Sequence, residues 1–84
     1  MPQWPDWWSW ELRLSAHLLR RMVDRDFTET DLRLMMADAR DYHWDVAPGR
    51  WIIHGRLAGR SWEVIVEPLP EERVLFVVTA YPVD

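Results

Sequence analysis

Seven side chains in this sequence could transfer protons or bind phosphate. They are His17, Arg21, His54, Arg56, Glu63, Thr79 and Tyr81. Metal-independent cleavage of RNA needs a base near the 2′-OH, an acid at the leaving oxygen and a cation beside the phosphate. Imidazole, carboxylate, guanidinium and phenol groups can fill those roles, so these residues are the candidates for such chemistry.

Each candidate also has a purely structural interpretation. His54 and Glu63 would form an ordinary pair across two strands, worth ~0.2–1 kcal/mol, and we favour that interpretation because it needs no catalytic explanation. His17 could bond to nearby backbone at a helix end, and Tyr81 could cap the edge of the core. Thr79 more readily bonds across the sheet than attacks a substrate.

The strand that would hold Glu63 is the most regular in the chain. Residues 60–67 alternate between polar and apolar side chains, which is typical of a half-buried strand. Residues 51–57 precede it, joined by Ala58-Gly59, and a two-residue connection ending in Gly is typical of a tight hairpin. Counting outward from that turn places His54 opposite Glu63. A slip of one residue would exchange the two faces.

A third strand is predicted after the loop that begins at Pro68, because residues 74–81 form a nearly continuous apolar run. Two helices must cover the face able to receive them. That face comprises Trp51, Ile53, Trp62, Val64, Val66, Phe76 and Val78. The opposite face would expose Ile52, His54, Arg56, Glu63, Ile65, Leu75, Val77, Thr79 and Tyr81.

A short strand and a first helix are predicted near the start of the chain. Residues 10–14 alternate, and Ser15 is a candidate N-cap for a helix over residues 16–25. The arginines of that helix are typical of a solvated face, with Asp24 as the i+4 partner of Arg20.

A second helix should begin after Thr28, because Asp31 follows three residues later in a pattern close to a capping box. Residues 40–49 are interpreted as a polar connector that ends in a Pro-Gly turn. The predicted fold class is therefore α+β: a short N-terminal strand, two helices and a three-stranded antiparallel meander, with both helices on one sheet face. Residues 10–84 would form this single domain, preceded by an arm over residues 1–9.

That N-terminal arm is rich in Trp and Pro. We expect its indoles to lie over exposed apolar surface of the domain. A membrane-interface anchor is the alternative, since Trp favours that zone, but Asp6 and Glu11 would be repelled by anionic lipid. A partner-binding arm also stays open, because exposed indoles are unusual without a use.

Composition limits the remaining choices. The chain has 84 residues, no Cys, and a formal charge of −4. Nucleic-acid binders usually carry a basic balance, so the acidic total disfavours RNA held by electrostatics alone, although a local basic patch is compatible with it. No apolar run is long enough to span a bilayer. We expect a cytoplasmic protein with no membrane association, no cofactor and no metal site, since the three His residues share no ligand spacing.

Six segments of the sequence, taken in order, resemble a known family. They are LSAH at residues 14–17, RRMVDR at 20–25, TETD at 28–31, GRW at 49–51, WEVIVEP at 62–68 and VVTAY at 77–81. Their order and spacing resemble the bacterial domain-of-unknown-function family 4258, which is grouped with the RelE, ParE and BrnT toxins. The resemblance covers roughly residues 10–82.

The resemblance implies a RelE-like fold and suggests a toxin of a toxin–antitoxin system, either a metal-independent endoribonuclease or an antitoxin-bound gyrase poison. The alternative is a non-catalytic interaction module, bound to a second copy or to an antitoxin-like protein. That alternative depends on apolar residues predicted on the open face, where their burial would remove apolar area from water. They are Ile52, Ile65, Leu75 and Val77.

Overall fold

The computed structural model describes residues 4–83. Its helices and strands in chain order are β1 (Glu11–Leu14), α1 (Ala16–Asp24), α2 (Glu29–Ala37), β2 (Asp41–Trp44), β3 (Trp51–Leu57), β4 (Arg60–Leu69) and β5 (Val74–Pro82). A 3-10 turn, Asp6–Ser9, precedes β1. The predicted α+β class with two helices is therefore confirmed.

Within residues 4–83, five strands form one mixed sheet in the order β1-β5-β4-β3-β2. β1 pairs with β5 in parallel. The other neighbouring strands pair antiparallel, so β3, β4 and β5 follow one another in space as they do in the chain.

The prediction of four strands was wrong, because β2 lies inside the segment that we interpreted as a connector. Tyr42 of β2 is paired with Ile53, and Trp44 with Trp51. The Trp44 and Trp51 rings stack with their centroids 3.8 Å apart. An alternation over four residues is only a weak strand signal, and this edge strand depends on packing against β3.

The hairpin between β3 and β4 has the predicted register. Leu57 pairs with Arg60 and His54 with Glu63. Ala58 and Gly59 both adopt positive φ, 51° and 81°, which is the backbone of a two-residue turn matched to the twist of the flanking strands.

The pairing of β4 with β5 contains a bulge. Ile65 pairs with Thr79, but the next residue, Val66, pairs with Val77. Val78 therefore has no partner in β4. An extra residue in one strand changes which side chains of that strand point to each face.

The bulge makes part of the predicted face assignment wrong. Leu75 and Val77, predicted on the open face, are fully buried in the core. Phe76 and Val78, predicted beneath the helices, lie outside the buried cluster. A continuous apolar run has no alternation to fix its parity, so the sequence could not reveal this exchange.

Side-chain caps begin both helices. The Ser15 hydroxyl accepts the Leu18 N–H at 2.9 Å and donates to the Val78 carbonyl at 2.6 Å, so it caps α1 and joins it to β5. Thr28 and Asp31 form the full capping box of α2, with hydrogen bonds of 3.1 and 3.0 Å. In the described part of the chain, neither helix is long and apolar enough to cross a bilayer.

The buried core lies between the helices and one face of the sheet. Leu18 of α1, and Leu32 and Met35 of α2, are fully buried there. The sheet contributes Ile53, Trp62, Val64, Val66, Leu75, Val77 and Ala80. The opposite sheet face, called the open face below, carries the polar side chains of β3 and β4.

The N-terminal indoles pack on the helix side of the sheet, beyond α2. Trp7 is nearly buried and belongs to the core. Its ring meets Tyr42 edge-on at 5.8 Å and lies 5.8 Å from Trp51. Trp4 stacks on Tyr42 at 5.1 Å and on Trp8 at 4.2 Å. These rings therefore pack against the aromatic side chains of β2 and β3.

Gly55 allows α2 to approach β3 closely. A Cβ atom at this position would overlap the backbone carbonyl of Met35 in α2. Backbone cannot move aside as the end of a flexible side chain can, so any side chain here separates the helix from the sheet.

Gly55→Ala should therefore destabilise the fold by about 1–3 kcal/mol through overpacking. Urea denaturation followed by tryptophan fluorescence measures this change. Ser61→Ala, at an exposed position on the neighbouring strand, is the control and should leave the denaturation midpoint nearly unchanged. Equal midpoints for Gly55→Ala and the wild type would contradict the close approach.

Candidate functional site

Four ionisable side chains form a continuous row across the open face. His54, Glu63 and Tyr81 are direct cross-strand neighbours on β3, β4 and β5. His43 of β2 lies diagonally beside His54, and their rings stack with centroids 4.7 Å apart. Antiparallel register places such residues within reach of one another, and we call these four residues the polar row.

The side-chain atoms of the polar row are in sequential contact. His43 Nδ1 lies 3.0 Å from His54 Nε2. The other nitrogen of that ring, His54 Nδ1, lies 3.6 Å from Glu63 Oε2, which is longer than a hydrogen bond. The Tyr81 hydroxyl donates to Glu63 Oε1 at 2.6 Å. Both nitrogens of His54 therefore face protein partners.

The phenol at the end of the polar row stays protonated at neutral pH. Its hydrogen bond to Glu63 raises the pKa of Tyr81 to about 12, and burial and the charges of Glu63 and Asp45 act in the same direction. Tyr81 therefore acts as a donor that holds the carboxylate in place, and not as a base.

The polar row is accessible from solvent. The side chains of His54 and Glu63 are 37% and 22% exposed, and neither belongs to the core beneath the helices. On the same face Ile65 is only 7% exposed. The open face therefore combines the polar row with apolar neighbours, of which Ile65 is covered while Ile52 and Phe76 keep intermediate exposure.

A cleft of about 380 Å³ opens beside the polar row. Arg40 and Arg56 line it, together with His54, Gly55, Ser61, Trp62, Glu63 and Val83. The Arg56 guanidinium donates to the Gly59 carbonyl at 2.9 Å. The Arg40 backbone N–H donates to the His54 carbonyl at 2.9 Å, which fixes the start of β2 at the cleft. Two guanidinium groups beside an imidazole and a carboxylate are suited to binding a phosphate.

The structure does not bring all the predicted candidates together. His17 is exposed on α1, and Arg21 of that helix pairs with Asp24 at 3.1 Å. That pair replaces the predicted one from Arg20. In residues 4–83 no hydrogen bond or ion pair connects His17 or Arg21 to the polar row. Thr79 lies on the open face opposite Ile65, two residues before Tyr81.

Sequence reasoning missed His43 and Arg40, because both fall in the segment interpreted as a connector. The signal that could have found them is the aromatic pair Tyr42 and Trp44, which alternates with Asp41 and His43. Aromatic residues are enriched in strands, so that alternation is compatible with an edge strand that displays polar groups on one face.

Among the described residues, no group of three or more His, Cys, Asp or Glu side chains is arranged to hold a metal ion. No protein-family model, curated protein or solved structure matches the chain.

Replacing Glu63 with Gln should lower the pKa of Tyr81 from about 12 towards 10, because the neutral amide no longer opposes the phenolate. The pKa of Tyr81 is measured by nuclear magnetic resonance of its ring carbon during a pH titration. Glu67→Gln, on the same face of β4, is the control and should leave the titration unchanged.

The sign of the stability effect follows from the raised pKa. Because the folded value lies above the ordinary 10, the contribution of this hydrogen bond is complete below pH 10 and is lost as the pH rises towards 12. Ionisation of Tyr81 near pH 10 in the wild type would contradict the observed geometry.

Proposed function

We propose that this protein is a toxin-like endoribonuclease that cleaves single-stranded RNA without a metal ion, as its resemblance to the RelE and BrnT toxins implies. The observation that carries the proposal is the polar row beside a cleft lined by Arg40 and Arg56. Single-stranded RNA suits this site, because unpaired nucleotides can be splayed onto an open sheet face.

The groups at the site can take the proton of the attacking hydroxyl and stabilise the phosphate, and water protonates the leaving oxygen. A histidine of the polar row takes the proton of the 2′-OH, and the 2′-oxygen attacks the adjacent phosphorus. The bond from phosphorus to the 5′-oxygen breaks, and that oxygen takes a proton from water. The products are a 2′,3′-cyclic phosphate and a 5′-hydroxyl. The proton held by the row then returns to solvent, which restores the enzyme.

The arginines stabilise the charge that develops on the phosphate oxygens. Guanidinium groups placed before the reaction begins need no reorganisation in the transition state. They also supply a local positive potential in a chain whose formal charge is −4. The net negative charge of the chain weakens RNA binding outside the cleft. Binding therefore depends on a small number of phosphate contacts within it.

The topology is compatible with the proposed relationship. We propose that β1, the two helices and β3 to β5 correspond to the RelE-like arrangement of family 4258, and that β2 is an addition at the sheet edge. The consecutive antiparallel pairing of β3, β4 and β5 supports this. A cytoplasmic location and an antitoxin-like partner belong to the same proposal, and a small reading frame beside the gene would support the partner.

The alternative of a non-catalytic module loses most of the surface on which it depended. Of the apolar residues predicted on the open face, Leu75 and Val77 are fully buried in the core and Ile65 is 7% exposed. Only Ile52 keeps intermediate exposure. Phe76 pairs with Glu67 of the open face and keeps intermediate exposure, as Val78 does, so the apolar residues left for association are Ile52, Phe76 and Val78 rather than the predicted set.

The purified protein should cleave a single-stranded RNA oligonucleotide in the presence of EDTA and leave a 2′,3′-cyclic phosphate end. An oligonucleotide with 2′-deoxyribose at the scissile position should stay intact, because it lacks the attacking hydroxyl. Glu63→Gln should reduce the cleavage rate by about 10²-fold, whereas the control Glu67→Gln should not. Intact RNA in this assay, together with normal growth of cells expressing the protein, would refute the proposal.

Arg56→Ala should weaken binding of the uncleavable oligonucleotide and reduce its salt dependence. Each phosphate contact on a single strand contributes about −0.7 to the slope of log affinity against log salt concentration, so one lost contact should flatten the slope by about that amount. Fluorescence anisotropy at several salt concentrations measures it. Arg13→Ala, on the edge strand β1 and paired with Glu72, should keep the wild-type slope. An unchanged slope in Arg56→Ala would show that Arg56 does not contact the phosphate.

A further inference from the structure

We propose that His43 is the catalytic residue that touches the substrate, and that His54 is a positioning residue behind it. The inference rests on the proposed ribonuclease function and goes further by naming which nitrogen accepts the proton. Its basis is the order in which the polar row fixes the tautomers of the two rings.

The carboxylate of Glu63 fixes the first tautomer, that of His54. Tyr81 donates to Glu63 Oε1, which holds the other oxygen, Oε2, towards His54 Nδ1 at 3.6 Å. A carboxylate oxygen repels a nitrogen lone pair and attracts an N–H. The proton of the neutral His54 ring is therefore on Nδ1, and its Nε2 carries the lone pair.

The tautomer of His43 follows from that of His54. His54 Nε2 lies 3.0 Å from His43 Nδ1, and a hydrogen bond needs one donor and one acceptor. Because His54 Nε2 is the acceptor, His43 Nδ1 must carry the proton. The remaining nitrogen, His43 Nε2, is then an unprotonated base.

His43 Nε2 is also the accessible nitrogen of the pair. His43 is exposed on the edge strand β2, and in residues 4–83 its hydrogen bonding is confined to His54 through the other nitrogen. Both nitrogens of His54 face protein partners. In this proposal the 2′-OH approaches the open face at β2, beyond the His54 side of the cleft, and His43 Nε2 takes the proton that it gives up.

The charge formed on His43 is stabilised through the polar row. After the proton transfer, His43 is an imidazolium that donates from Nδ1 to His54, whose Nδ1–H faces the Glu63 carboxylate. Two further carboxylates lie nearby: Asp41 is opposite His54 on β2 and Asp45 follows β2, and each accepts a hydrogen bond from the next backbone N–H. The arrangement lets a carboxylate act on a base that it does not touch.

Nitrogen-15 labelling of the histidines tests the tautomers directly. In the wild type at a pH where both rings are neutral, long-range proton–nitrogen correlation should show the Nδ1–H form for both His43 and His54. In Glu63→Gln the tautomers should no longer be fixed, and His43 should move towards the Nε2–H form that a free histidine side chain favours, whereas Glu67→Gln should not change it. An Nε2–H form of His43 in the wild type would overturn the inference.

Cleavage kinetics test the catalytic role. His43→Gln should lose about 10²-fold or more in rate, and His17→Gln, the same substitution at an exposed position on α1, is the control that should keep the wild-type rate and thermal midpoint. His54→Gln should also lose activity, and in that variant the tautomer of His43 should no longer be fixed. Wild-type RNA cleavage with undiminished cleavage by His43→Gln would overturn the role of His43 and leave the proposed function intact. A wild type that cuts no RNA would instead refute the function.

Discussion

The pairing of β3 with β4 determines the chemistry of the open face. The turn at Ala58 and Gly59 sets the register, and that register places His54 directly opposite Glu63. A slip of one residue would move both side chains into the core and bring apolar ones outside. Continuation of the ladder to Tyr81 and His43 converts one cross-strand pair into a row of four polar side chains joined by three contacts.

The open face can remain polar because the helix-covered face of the sheet supplies the buried apolar core. Both helices and the N-terminal indoles cover a single side of the sheet, and Gly55 lets α2 settle against β3 without a side chain between them. The apolar area buried on that side stabilises the fold. The polar row therefore does not have to contribute much to folding, and its ionisable groups are held by one another rather than by the core.

The parts of this account that could be predicted from the sequence depend on strong local rules. The hairpin register followed from a two-residue turn, and the N-caps at Ser15 and Thr28 followed from side-chain chemistry. Two features depended on long-range packing and were missed. The bulge in β5 lies in an apolar run with no alternation, and β2 is a four-residue strand held by ring stacking. Missing β2 removed His43 and Arg40 from the predicted site.

A crystal structure with an uncleavable dinucleotide bound, carrying 2′-deoxyribose on the 5′ side of the phosphate, tests the central claim most directly. Our account predicts that the phosphate lies in the cleft between Arg40 and Arg56 and that the 2′ carbon faces the imidazole of β2. A dinucleotide bound on the helix side of the sheet, or at the N-terminal indoles with the cleft unoccupied, would contradict it.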